Sequence, residues 1–195
     1  MPYLNYNHLS EEDLYSIVAY IKTLKPIENK IPDTELNFPL NLIVKTIPLQ
    51  NYSPKEQVDK SDALKYGKYL VTIASCSECH TPSDQGEPLP GMDFAGNSEF
   101  HLPSGLVRSA NITPDTETGI GNWTKEYFIS RFKYYDNDST RSISVGPKDF
   151  NTVMPWLLYA GMTEEDLGAI YEYLRTLKPV KNTVQKWSPA DLAKK

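Results

Sequence analysis

The chain has 195 residues and a formal net charge of −5, with acidic and basic side chains interspersed, so no basic stripe exists to bind nucleic acid. Its mean hydropathy is −0.48, polar for a globular chain of this length, and no apolar run approaches the roughly 20 residues of a membrane span. Both cysteines fall in one short motif, which excludes a disulfide framework.

Taken in order, Met1-Pro2-Tyr3-Leu4 has neither the basic start nor the apolar stretch of a signal peptide. Ser10 is placed to cap a helix, with Asp13 at its third position as a variant capping box. Leu14, Ile17, Val18, Ile21 and Leu24 recur at helical spacing, and Pro26 stops the helix. His8, just before it, reads as an exposed loop residue. Residues 28–60 hold Pro32, Pro39, Pro48 and Pro54 and read as a linker. The apolar run from Leu36 to Val44 predicts that the linker lies against a domain surface, since a free tether would be richer in Gly and Ser.

A second helix is predicted from Ser61-Asp62-Ala63-Leu64, with apolar positions at Leu64, Tyr66, Leu70 and Ile73. Gly67 lies inside it, at a cost of about 1 kcal/mol against alanine that close approach of another helix would justify. The natural partner is the closing helix that carries Tyr171 and Tyr173.

Next comes Cys76-Ser77-Glu78-Cys79-His80. Two cysteines three apart with a histidine directly after form the spacing that attaches a c-type haem. On a helix all three side chains share one side, so two thioether bonds and one imidazole come from a single turn. A thiol–disulfide oxidoreductase would want the pair at the start of a helix after a strand, and a structural zinc site wants four ligands. Here the preceding residues read as helix, and the chain has only these two cysteines and three histidines, His8, His80 and His101.

Residues 81–105, rich in Gly and Pro, read as loop over the haem edge. Asn111-Ile112-Thr113-Pro114-Asp115 leads to Thr118-Gly119-Ile120-Gly121, and Thr124 caps a helix with Tyr127, Phe128, Ile129 and Phe132. Trp123 and Phe128 read as core contacts, and residues 133–153 as polar and irregular.

Residues 154–180 repeat residues 1–27 without a gap: Met154-Pro155-Trp156-Leu157-Leu158-Tyr159 answers Met1-Pro2-Tyr3-Leu4-Asn5-Tyr6, and Thr176-Leu177-Lys178-Pro179 answers Thr23-Leu24-Lys25-Pro26. The second copy closes a domain whose haem motif lies upstream. The first copy should therefore close a preceding domain of the same kind, which makes the chain the C-terminal part of a longer two-haem protein. A sixth iron ligand could come from Met92, Met154, Met162, His8 or His101. Among these, Met154 alone sits in a loop followed by a φ-restricting proline just before a capped helix, with His101 its main rival.

The CxxCH turn, the Asn111-to-Asp115 loop, Met154-Pro155-Trp156 and the closing Glu165-Asp166-Leu167 to Tyr173-Leu174 together resemble the multi-haem cytochromes c, nearest to the cytochrome subunits of periplasmic alcohol and sugar-acid dehydrogenases. The resemblance implies an all-α cytochrome c domain over 61–182, a remnant of another at 1–27, a linker at 28–60 and a tail at 183–195. It implies one covalent haem through Cys76 and Cys79, with His80 the proximal and Met154 the distal ligand, and Asn111, Ile112, Thr113 and Pro114 lining the haem pocket. The implied activity is electron transfer, not catalysis, between a dehydrogenase or quinol and another cytochrome or oxidase. The implied place is periplasmic or otherwise extracytoplasmic, with membrane association in a longer protein. The alternative is a haem enzyme or small-ligand sensor with an open sixth position.

Overall fold

The computed structural model describes residues 3–46 and 55–190. Met1, Pro48, Pro54 and the end of the tail lie outside the described residues. The chain divides into two compact units, Met1–Gln57 and Val58–Lys195.

The first unit contains α1 (Tyr3–Tyr6), α2 (Glu11–Thr23) and, within the predicted linker, α3 (Leu40–Thr46). Ser10 caps α2, its hydroxyl accepting from the Asp13 N–H at 3.1 Å. The predicted apolar face is present, yet Ile17 and Ile21 are 45% and 57% exposed.

The second unit runs through α4 (Ala63–Ile73), α5 (Cys76–His80), β1 (Ser83–Asp84), β2 (Glu87–Pro88), β3 (Glu99–Leu102), β4 (Gly105–Arg108), α6 (Lys125–Lys133), α7 (Asp138–Arg141), α8 (Trp156–Tyr159), α9 (Glu164–Arg175) and β5 (Trp187–Pro189). Its frame is the pair α4 and α9. Asp62 caps α4 by accepting from the Lys65 N–H at 3.1 Å. Thr163 and Asp166 close a reciprocal capping box on α9, which satisfies two orphan N–H groups at once. Tyr66, Leu70 and Val71 of α4 bury against Leu167, Ile170 and Leu174 of α9 in a single apolar cluster. The Tyr66 hydroxyl donates to Asp166 Oδ1 at 2.7 Å. Gly67 fulfils its predicted role, because a Cβ there would fall 2.0 Å from the Ala169 carbonyl oxygen. α6 adds Phe128, whose ring centroid lies 5.6 Å from that of Tyr171, and Phe132 beside it.

The repeat is structural as well as textual. α1 answers α8 and α2 answers α9, and each longer helix is capped by a hydroxyl bonded to the third N–H. What differs is cover: α9 buries Leu167 through Tyr171, whereas no residue of α2 is buried.

The helical domain carries two small sheets that an all-α reading leaves out. β1 and β2 form a hairpin across Gln85 and Gly86, both at positive φ, and β3, β4 and β5 form an antiparallel three-stranded sheet. Strands of two to four residues set among Gly and Pro show no usable alternation, so this region reads as loop in the sequence. β5 brings the C-terminal tail back against β4, with Trp187 opposite Val107.

Candidate functional site

The site begins at a backbone irregularity. Ser75, between α4 and α5, has φ 57° and ψ 35°. This left-handed conformation is costly for a residue with a Cβ and persists only where the surroundings dictate it. It ends α4 and restarts the chain as one isolated turn, held by Glu78 N–H to Ser75 O at 3.1 Å and Thr81 N–H to Ser77 O at 2.9 Å. Cys76 then packs half-buried against the domain core, while Cys79 is exposed.

Burial pushes the Cys76 thiol up to about 12, with the neighbouring Cys79 adding to it. Cys79 is also raised, by burial and then by the Glu78 carboxylate. A redox dithiol works through a depressed pKa, so these thiols lack the electrostatics of an oxidoreductase. Among the described residues no three His, Cys, Asp or Glu side chains are grouped to hold a bare metal ion.

His80 ends the turn with its Nδ1 2.7 Å from the Ala110 carbonyl oxygen. A carbonyl only accepts, so Nδ1 carries the proton and donates, leaving the Nε2 lone pair for a metal. Burial lowers the His80 pKa, opposed by this bond to Ala110, and keeps the ring in its neutral, ligating form. The main chain at residue 110 carries no side-chain signal, so sequence reasoning misses this partner.

The segment after Ala110 is a closed hydrogen-bond knot. Asn111 Oδ1 accepts from the Thr113 N–H at 2.9 Å and its hydroxyl at 2.8 Å. Asn111 Nδ2 donates to Thr118 Oγ1 at 3.0 Å and to the Val180 carbonyl at 2.8 Å. All four hydrogen-bonding positions of the buried amide are thereby used. Asp115 Oδ1 accepts from both the N–H and the hydroxyl of Thr118 at 2.7 Å. Gly119 lets the chain turn back, since a Cβ there would stand 2.2 Å from the Thr113 carbonyl. Ile112 packs on the core and Pro114 is half-buried.

These bonds hold the Asp115 carboxyl below its usual value of 3.8, the Thr118 hydroxyl being the first cause. A depressed folded-state pKa contributes stability that is complete above the unfolded value and is lost as pH falls through the folded one. Denaturant midpoints measured at pH 5 and pH 3 should therefore drop less in Asp115→Asn than in the parent, and equal drops would contradict the assignment.

Met154 stands just before α8, half-buried and packed on the same core as Cys76. Its N–H donates to Thr152 Oγ1 at 3.1 Å, and its carbonyl accepts from the Trp156 N–H at 2.8 Å. Met162 also packs on that core and Met92 is half-buried, whereas His8 and His101 are exposed. On either side of Met154 the apolar side chains Phe150, Val153, Leu157 and Leu158 are 47%, 39%, 50% and 77% exposed. An apolar macrocycle at the site would give such side chains a surface to cover, so the residues present fit a haem.

The family model for cytochrome c matches residues 64–178. The chain belongs to the cytochrome c family. As a cytochrome c domain it is an electron-transfer module with a c-type haem attached covalently at Cys76-x-x-Cys79-His80. Such attachment goes with an extracytoplasmic location. The chain is 31% identical to the fructose dehydrogenase cytochrome subunit of Gluconobacter japonicus over 91% of its own length and 36% of that protein. It is 36% identical to the alcohol dehydrogenase (quinone) cytochrome c subunit of Gluconobacter oxydans over 63% of its length and 23% of that protein. A diheme c-type cytochrome of Cereibacter sphaeroides is 29% identical over 67% of the chain and 45% of that protein. The cytochrome thus spans 36% and 23% of the first two relatives.

Proposed function

We propose that this cytochrome is a haem domain of a di-haem cytochrome c that relays electrons from a dehydrogenase or quinol towards a terminal acceptor such as a further cytochrome or oxidase. In this reading Cys76 and Cys79 form the thioethers, His80 supplies Nε2 as the proximal ligand, and Met154 supplies the distal thioether. The bound haem contributes an iron that cycles between ferric and ferrous states at a potential set by its axial ligands and surroundings. The protein's part is to hold both ligands in place through the cycle. His80 is oriented by Ala110, and the Asn111-to-Thr113 knot braces that carbonyl beside the pocket. A thioether favours the ferrous state and raises the potential relative to two imidazoles.

The observation that carries the reading is the His80 bond to Ala110, which fixes a half-buried neutral imidazole directly after two unactivated thiols. The structural repeat and the greater length of the relatives support residues 1–27 as the closing segment of another haem domain. Anchoring to a membrane would belong to the longer protein, since no helix among the described residues is long and apolar enough to cross one.

The test is to mature the protein with haem-attachment machinery in a periplasm, denature it, add pyridine, reduce it and record the visible spectrum beside the intact mass. A c-type haemochrome with one haem per chain is expected. Two free thiols and no covalent haem, with a control cytochrome maturing in the same cells, would sink the reading.

A further inference from the structure

A hydrogen bond ties the distal segment to the end of α4, just before the attachment turn. Tyr159, the last residue of α8, donates its hydroxyl to the Ala74 carbonyl at 2.8 Å. Ala74 caps α4 and lies two residues before Cys76. Because Ser75 is left-handed, the helix stops here and the Ala74 carbonyl is available to a side chain from elsewhere. Lys133 Nζ also donates to the carbonyls of Ala160 and Met162, at 2.9 and 2.6 Å. The Trp156 ring packs between Phe132, at 5.1 Å, and Tyr135, at 5.6 Å. The stretch that follows Met154 is therefore held at several points, and Tyr159 ties it to the end of α4 just before the turn that carries the cysteines.

The internal repeat keeps the same residue at this position, as it does at Met154, Pro155 and Leu157. Tyr3 and Asn5 of the first copy become Trp156 and Leu158 in the second, while Tyr6 remains a tyrosine as Tyr159.

We infer that Tyr159 is a positioning residue for the distal ligand: its hydrogen bond to Ala74 fixes the Met154 segment against the haem-attachment turn and so holds the methionine on the iron. This inference rests on Met154 being the distal ligand. A phenylalanine at 159 keeps the ring and its edge contact to Phe132, 6.4 Å between centroids, and removes only the hydroxyl.

The experiment uses the ferric holoprotein with imidazole as the probe. Imidazole must displace Met154, and its binding is read from the loss of the far-red methionine-to-iron absorption. Removing this partly buried hydrogen bond should tighten imidazole binding in Tyr159→Phe by about fivefold to tenfold. Asp62→Ala, which removes the cap at the far end of α4, is the matched control for stability alone. It should lower the melting temperature yet leave imidazole affinity unchanged. Equal affinities in the parent and Tyr159→Phe, or equal changes in both variants, overturn the inference while leaving Met154 as ligand. Absence of the far-red absorption from the parent protein overturns the Met154 reading and this inference together.

Discussion

Gly67→Ala should lose about 3 kcal/mol or more of stability, a large share of what a domain of this size possesses. A Cβ at that position would lie 2.0 Å from the Ala169 oxygen, 2.6 Å from its carbonyl carbon and 2.9 Å from Tyr173 Cβ. The obstruction is backbone, so relief requires α4 and α9 to move apart and open the seam between Leu70 and Leu167. Gly168→Ala makes the opposite case on the facing helix. Its Cβ would meet the end of the Lys125 side chain at 2.6 Å, which can swing away. Alanine is favoured over glycine inside a helix by about 1 kcal/mol, so this variant should hold or gain stability. Thermal melts of the two holoproteins decide the matter. Similar melting temperatures would show that the α4–α9 contact is not what requires glycine at 67.

Met154→Ala should abolish the far-red absorption, open the iron to carbon monoxide in the reduced protein, and lower the midpoint potential by on the order of 0.1 V within the roughly 0.8 V over which axial ligands set haem potentials. His101→Ala should change none of these, since His101 sits exposed on β3. If the histidine variant loses the low-spin spectrum and the methionine variant keeps it, the ligand assignment is reversed. Potentiometric titration and carbon monoxide difference spectra of the two variants measure both outcomes.

The parts of this protein legible in the sequence are those whose chemistry is local. Ser10 and Thr124 announce their helices because a cap is decided within four residues, and the CxxCH turn reads as one because its three groups share that turn. Gly67 is also readable, since a glycine at that cost inside a helix calls for a close neighbour. Harder to see is anything held by main chain or by distant partners. The Ala110 carbonyl has no letter of its own, and neither does the Ala74 carbonyl that receives Tyr159. β5 pairs with β4 from far along the chain, Trp187 opposite Val107, and the short strands have inward positions too few to set a period. The pattern in α2 shows the limit most clearly, because the spacing that buries Leu167 and Ile170 in α9 leaves Ile17 45% exposed in α2. Periodicity identifies a face and is silent on what covers it.

The bond from His80 to Ala110 has a further consequence for how this protein tolerates change. Every amino acid brings a main-chain carbonyl, so no single substitution at position 110 deletes the acceptor. The histidine's orientation is instead exposed to insertions and deletions. Gly96 donates its N–H to the His80 carbonyl at 2.7 Å, and Asn97 bonds Ser109 at 2.9 Å, so the hairpin of β3 and β4 acts as a gauge that brings residue 110 back to the ring. Descendants of this sequence are free to change the letter at 110 and are constrained in how many residues lie between 97 and 110.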